Sequence, residues 1–193
     1  MIRHGLPVRI DDAGGPADPE LSEEGWDQAR RLAAWYGDGR EPIEAVYCSP
    51  LRRARETAVP LAEATRHEVI VDDELAEFDR GFHFYVPLEE LKAAGDPRYR
   101  QMMSGEWDES VEVDPETFRQ VVVGAVERVI VANPGGRVAV VCHGGVVNAY
   151  ASHVLGIEST LFFNPGYTSV SRILAARSGE RSILSLNETG HLR

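Results

Sequence analysis

The stretch VAVVCHGG, residues 138–145, places a histidine and two glycines directly after a short apolar run. An apolar run bounded by glycine is typical of a buried parallel strand, so His143 is expected at the carboxyl end of a strand. The start of the chain has a shorter version of this pattern, in which Met1 and Ile2 precede Arg3-His4-Gly5. Open α/β sheets bind their ligands in the crevice beyond such strand ends. Two imidazoles and an arginine meeting there indicate chemistry on an anion.

Outside these two stretches, apolar runs alternate with segments of helical periodicity. Further strands are expected at residues 45–48, 69–71, 168–175 and 182–186. Helices are expected to begin at Ser22, near Leu51, at Asp114 and near Val146. Pro60 is expected to kink or end the second helix. The alternation predicts an α/β fold: a three-layer α/β/α sandwich with a mostly parallel central sheet.

The periodicity weakens between residues 82 and 113, where short helices are expected near 88–94 and 97–107. We interpret this segment as a helical excursion over the carboxyl edge of the sheet, a position from which loops select substrates. The chain is therefore expected to form a single domain over residues 1–193 with a substrate-selecting insertion at about 82–113. The large apolar side chains of the insertion either suit a partly hydrophobic leaving group or pack the excursion onto the sheet. They are Phe82, Phe84, Tyr85, Met102, Met103 and Trp107.

The chain is acidic, with 31 Asp and Glu against 20 Lys and Arg and a net charge of −11 over 193 residues. This balance argues against nucleic acid or an anionic membrane as a partner, because phosphate backbones require clustered basic residues. A phosphate pocket in this protein must be a local positive region in a negative field. No apolar stretch of about 18 residues and no signal peptide are present, so a cytoplasmic location is expected. Cys48 and Cys142 show no metal spacing and are expected to be buried, reduced thiols.

Several short motifs occur in an order that resembles the histidine phosphatase superfamily, also called the phosphoglycerate mutase-like family. The matching positions extend over nearly the whole chain. They are Arg3-His4-Gly5, Leu21-Ser22 with Gly25, Gln28 and Ala29, Ser49-Pro50-Leu51 with Arg53, Ala54, Thr57 and Ala58, then Leu75, Glu77 and Gly81, His143-Gly144-Gly145, and Asn187 with His191-Leu192.

The resemblance implies a cofactor-independent phosphatase that hydrolyses a phosphate monoester of a small molecule and releases inorganic phosphate. It assigns His4 as the nucleophile that forms a phosphohistidine, with the carbonyl of Gly5 available to orient the ring. Arg3 and Arg53 are implied as phosphate clamps, since the planar guanidinium suits phosphate better than lysine does. His143 is implied as a donor to the transition state, and it would bind phosphate together with the amide of Gly144.

A leaving alkoxide needs a proton, so a carboxylic acid with a raised pKa is expected opposite His4. By position, Glu74, Glu77 and Asp79 are all candidates. The family spacing of Leu75, Glu77 and Gly81 selects Glu77 as the proton donor. The other two carboxylates are then expected to be solvated loop charges.

Three alternatives compete with the phosphatase. A metallohydrolase would use His4, His143 and Glu77 as ligands, but two arginines in the same pocket would repel a dication, so no metal is expected. A phosphoglycerate mutase would share the pocket, but Leu6-Pro7-Val8 after Gly5 and the run EFDRG at residues 77–81 depart from the mutase motifs. A non-catalytic module that binds a phosphorylated ligand is the third possibility.

Overall fold

The computed structural model describes residues 1–104 and 114–193. Its strands are β1 Ile2–Arg3, β2 Ala45–Cys48, β3 Val69–Val71, β4 Val138–Cys142, β5 Val170–Ala175 and β6 Arg181–Glu188. Its helices are α1 Glu23–Gly37, α2 Arg52–Thr65, α3 Leu88–Ala93, α4 Pro97–Ser104, α5 Pro115–Ala132 and α6 Gly144–Leu155. Trp107 lies outside the described residues, as do the side chains of Met102 and Met103. No helix in the described ranges is long and apolar enough to cross a membrane.

The described strands form one mixed sheet in the order β3-β2-β4-β1-β5-β6. β1 to β4 are mutually parallel, whereas β5 runs antiparallel to both β1 and β6. β1 and β2 flank β4, so the carboxyl ends of all three strands meet at one edge. This arrangement confirms the expected α/β fold with its mostly parallel sheet, and it brings His4, Ser49 and His143 to the same edge.

Helices cover both faces of the sheet because side chains along each strand point alternately to opposite faces. In β4, Ala139 and Val141 belong to the core formed with α1 and α2, which contains Leu32 and Leu61. Val140 and Cys142 instead belong to the core formed with α5 and α6, which contains Val122, Val126, Val147 and Tyr150. Cys48 lies in the first core, so the two buried thiols are on opposite faces of the sheet.

Helix starts follow the local chemistry of the sequence. Ser22 caps α1 by accepting the N–H of Gly25 at 3.1 Å, and Asp114 caps α5 by accepting the N–H of Thr117 at 2.9 Å. Of the two outcomes expected for Pro60, an end of the helix does not occur, because α2 continues through it to Thr65. The buried residues that follow, Leu61 and Ala62, pack into the first core and offset the hydrogen bond that proline cannot donate.

The excursion after β3 contains α3 and α4 and is tied to the loop that follows β1. Tyr85 and Ile10 exchange backbone hydrogen bonds at 2.9 and 2.7 Å. The N–H of Ala17 donates to the carbonyl of Phe82, and the N–H of Ala13 to that of His83. These bonds hold residues 82–85 beside the carboxyl edge of the sheet, where they form one wall of a cleft.

Candidate active site

His4 follows β1 directly and is buried, with 3% of its surface exposed. Its Nδ1 lies 2.8 Å from the carbonyl oxygen of Gly5, which can only accept, so Nδ1 carries the proton. The Nε2 lone pair of the neutral ring is therefore free to react. The centroid of the His143 ring lies 5.1 Å from that of His4.

His143 follows β4 and occupies the N-cap of α6, fully buried. Its Nε2 lies 2.6 Å from Oγ of Ser49, the first residue after β2. Ser49 Oγ also accepts the N–H of Leu51 at 3.2 Å, and its hydroxyl proton is available for donation to Nε2 in one tautomer of the histidine ring. That tautomer places the ring proton on Nδ1, a buried atom with no hydrogen-bond partner in the described part of the chain. A ligand oxygen would satisfy it.

Arg3 and Arg53 are buried in the same cleft, with 4% and 1% of their surfaces exposed. Arg3 donates to Glu89 and to the carbonyl of Pro165, both at 2.6 Å, and its guanidinium stacks 3.8 Å from the Tyr167 ring centroid. Each arginine has a buried Nε with no partner among the described residues. Burial and then these two cations lower the pKa of His4 well below its ordinary 6.5, and burial followed by Arg53 does the same for His143.

Glu77 completes the cleft and is 9% exposed. Its Oε2 accepts the N–H of Gly145 at 2.7 Å, and its Oε1 accepts the N–H of Phe78 at 3.1 Å. Burial raises the pKa of this carboxyl to about 7, and the neighbouring charge of Asp79 adds to the rise. A Cβ at position 145 would lie 2.2 Å from Oε1 of Glu77, so glycine is required there for the carboxyl to reach the helix end.

The two other candidate carboxylates differ from each other. Glu74 is exposed and pairs with Arg128 at 2.6 Å, as expected for a solvated loop charge. The expectation for Asp79 is wrong, because its side chain is 17% exposed, lines the cleft and accepts Arg53 Nη2 at 2.7 Å. The turn that follows Glu77 folds Asp79 back over the sheet edge, and a single sequence does not show that direction.

The sequence analysis also missed Glu89 and Tyr167, two residues that contact Arg3 beside the cleft. Glu89, in the first turn of α3, binds Arg3 and accepts the hydroxyl of Tyr167 at 2.7 Å. Tyr167 lies in the turn that precedes β5, and its ring centroid lies 5.8 Å from that of His4. Neither residue carries a strong sequence signal for a place at the site, because an acidic first turn is common in helices and an aromatic residue before a strand is usually part of the core.

The C-terminal motif supports the loop that carries Tyr167. Asn187 Oδ1 accepts the N–H of Gly166 at 2.7 Å, and His191 Nε2 lies 3.0 Å from Oγ1 of Thr168. The N–H of Thr168 in turn donates to the carbonyl of His4. His191 is therefore linked to the cleft through its hydrogen bond with Thr168 and does not line it.

Arg52 and His83 have the surface positions that were expected for them. Arg52 is exposed and pairs with Glu20 and Glu56, and His83 is exposed. Within residues 1–104 and 114–193, no group of three or more His, Cys, Asp or Glu side chains is arranged to hold a metal ion.

The chain is similar in sequence and in fold to several known proteins. The sequence profile of the histidine phosphatase superfamily (branch 1) matches residues 1–189. Phosphoserine phosphatase 1 of Hydrogenobacter thermophilus is 33% identical over 183 residues, covering 92% of this chain and 85% of that protein. A bifunctional protein of Mycobacterium tuberculosis is 31% identical over an alignment of 204 positions that covers 100% of this chain but 54% of that protein. The structure of Entamoeba histolytica phosphoserine phosphatase in complex with 3-phosphoglyceric acid superposes with a TM-score of 0.78 at 26% identity, covering 100% of this chain and 97% of that one.

Proposed function

This chain belongs to the histidine phosphatase superfamily (branch 1), and from that membership we propose that it hydrolyses phosphate monoesters through a phosphohistidine on His4. It is a phosphoric monoester hydrolase of the histidine phosphatase type, acting on a small phosphorylated molecule. The observation that carries the proposed mechanism is the pair of buried imidazoles, 5.1 Å apart between ring centroids, beside two buried arginines.

In the first proposed step, Nε2 of neutral His4 attacks the phosphorus while Gly5 holds the proton on Nδ1. A nitrogen–phosphorus bond forms as the bond to the leaving oxygen breaks. Glu77, protonated below about pH 7, gives its proton to that oxygen, and an alcohol departs.

In the second step, a water molecule attacks the phosphorus of the phosphohistidine. Ionised Glu77 accepts a proton from this water as the new phosphorus–oxygen bond forms and the bond to nitrogen breaks. Inorganic phosphate leaves, His4 is again neutral, and Glu77 is again protonated.

Charge on the transferring phosphoryl oxygens is stabilised by donors that are already in place. Arg3 and Arg53 supply guanidinium N–H groups, including the two buried Nε atoms. His143 supplies its Nδ1 proton, and the amide of Gly144 adds the positive end of α6. The negative field of the rest of the protein makes this cleft the favoured place for a small anion.

The experiment measures phosphate release from p-nitrophenyl phosphate and the trapping of labelled phosphoenzyme. A phosphohistidine is stable in alkali and labile in acid, so the trapped label identifies the nucleophile. His4→Ala should abolish both signals, whereas His153→Ala, which changes an exposed histidine on α6, should retain them.

Retention of turnover in His4→Ala would overturn the proposed nucleophile. Binding of inorganic phosphate with no turnover of any monoester would instead indicate a ligand-binding module. Isomerisation of 3-phosphoglycerate on addition of 2,3-bisphosphoglycerate, faster than phosphate release, would indicate a mutase.

A further inference from the structure

We propose that the leaving-group side of this cleft selects an uncharged apolar group, so that arylalkyl and similar phosphate monoesters are preferred over phosphorylated acids. This inference rests on the proposed function and concerns the other end of the same cleft. Two of the relatives are named for phosphoserine, which carries charged groups beyond its phosphate, whereas the wall of this cleft is largely apolar.

The cleft has a polar end and an apolar end. The polar end is formed by the strand termini and by α6, which carry His4, Arg3 and Gly144. The apolar end is formed by the segment that precedes α3, by the start of α3, and by the loop after α6. Its lining includes Phe82, Phe84, Val86, Leu88, Leu161 and Phe163.

Most of these apolar side chains remain partly exposed. Phe82, Phe84, Leu88 and Phe163 are half-buried, although the Phe82 and Phe84 rings contact each other with centroids 5.6 Å apart. Packing of the excursion onto the sheet therefore leaves apolar surface facing the cleft. A bound apolar group would remove that surface from water, at about 25 cal/mol per Å² of area buried.

Within the part of the chain that the structure describes, no spare cation lines this wall to bind a substrate carboxylate. Among the described residues that line the cleft, the only arginines are Arg3 and Arg53, which are assigned to the phosphoryl group, and no lysine lines it. Residues 105–113 contain no Lys or Arg either. Arg98, whose guanidinium lies 5.8 Å from the Phe84 ring centroid, is engaged by Asp96 through contacts of 3.0 and 2.8 Å.

Negative charges beside the cleft add a penalty for a second anion. Asp79 lines the cleft next to Arg53, and Glu89 lies against Arg3. A carboxylate on the leaving group would meet these charges and lose its hydration against aromatic rings. An uncharged group avoids both costs.

The first experiment compares primary alkyl phosphates, so that the chemistry of the leaving oxygen is similar throughout. The matched pair is 2-phenylethyl phosphate and its para-carboxylate, 4-(2-phosphonooxyethyl)benzoate. We expect kcat/KM for the uncharged ester to exceed that of the carboxylate by about 10- to 100-fold, because the carboxylate loses hydration beside Asp79 and Glu89 with no cation among the described lining residues to pair with. It should also exceed kcat/KM for O-phosphoserine, 3-phosphoglycerate and 2-aminoethyl phosphate.

The second experiment removes part of the apolar wall. Phe84→Ala and, separately, Leu161→Ala should each lower kcat/KM for 2-phenylethyl phosphate by about 10-fold while changing that for 2-aminoethyl phosphate by less than about 3-fold. Trp35→Ala is the control, because it removes an exposed aromatic side chain of α1 outside the cleft and should change neither value.

The outcomes separate the two proposals. Equal or faster hydrolysis of the carboxylate twin, O-phosphoserine, 3-phosphoglycerate or 2-aminoethyl phosphate would overturn the apolar selection and leave the phosphatase mechanism intact. Equal losses on both substrates in the wall variants would also overturn it. Absence of phosphate release from every ester, aryl phosphates included, would overturn both.

Discussion

At the scale of single residues, the site depends on two groups whose pKa values move in opposite directions. Burial and two neighbouring arginines keep His4 neutral, the form in which Nε2 can attack. Burial, together with the charge of Asp79, raises the pKa of Glu77 to about 7. Both groups are therefore in their reactive forms on the acidic side of neutral, and above pH 7 the fraction of protonated Glu77 falls tenfold per pH unit.

Replacing the acid tests this assignment. Glu77→Gln should slow hydrolysis of an alkyl phosphate by about 10²- to 10⁴-fold, because the leaving alkoxide then finds no proton. An aryl phosphate with an acidic phenol should be slowed far less. In the wild-type enzyme, kcat/KM for the alkyl ester should decline above about pH 7, and the variant should lack that decline. The measurement is kcat/KM for both esters between pH 5 and 9.

Glu74→Gln is the matched control, since this exposed carboxylate pairs with Arg128 outside the cleft. It should leave both rates unchanged. Equal losses on the alkyl and aryl esters in Glu77→Gln would show that Glu77 is not the acid. Asp79, which also lines the cleft, would then be the next candidate.

At the scale of elements, the amino end of α6 organises the site. His143 caps it, Gly144 begins it, and the amide of Gly145 binds the carboxylate of Glu77, a residue from the turn after β3. One helix end thus joins the phosphate region to the proposed proton donor. The positive end of the helix favours the ionised carboxylate, but burial and Asp79 outweigh this effect and raise the pKa.

Gly145→Ala should separate the acid from the helix. The new methyl group would lie 2.2 Å from Oε1 and 2.9 Å from the Cδ of Glu77, so the carboxyl must move. We expect a loss of at least about 10²-fold on an alkyl phosphate and a smaller loss on an acidic aryl phosphate, as for removal of the acid. The ratio of the two kcat/KM values is the measurement.

Gly124→Ala in α5 is the control, because a Cβ added there would lie 3.7 Å from its nearest neighbour, the flexible end of Arg128. It should keep full activity and gain up to about 1 kcal/mol of stability from the better helix propensity of alanine. Parallel losses on both esters in Gly145→Ala would mean that the substitution disturbs the phosphate region and not the acid.

At the scale of the whole molecule, burying charged and titratable groups at the site lowers the stability of the fold, and apolar burial in the two cores offsets this loss. A protein with a net charge of −11 encloses two arginines, two histidines and a glutamate at one sheet edge. Glu77 shows this loss of stability most clearly, because the folded protein resists its ionisation up to about pH 7, whereas a free glutamate ionises near 4.5.

The pH dependence of unfolding measures this cost. The contribution of protonated Glu77 to the unfolding free energy is fully present below pH 4.5 and is lost as the pH rises through 7. Between pH 5 and 8.5 the wild-type protein should therefore lose about 2–3 kcal/mol of unfolding free energy that Glu77→Gln does not lose. Urea unfolding of both proteins at the two pH values tests this, and parallel changes would show that the pKa of Glu77 is not raised in the folded state.

The sequence by itself determined the elements and the two histidines of this protein, because the signals for them are local. Apolar runs ending in His-Gly mark strand ends, and Ser22 and Asp114 mark helix starts from their own neighbours. Strand order then brings His4 and His143 together, since parallel strands end at one edge. The family spacing also indicated Glu77, but only the tertiary structure placed Asp79 and Glu89 against the arginines of the cleft and showed that α2 continues through Pro60. The first outcome depends on contacts between residues far apart in the chain, such as Arg3 with Glu89. The second depends on burial in the core, which offsets the hydrogen bond that Pro60 cannot donate. Neither can be inferred from the residues next to it in the sequence.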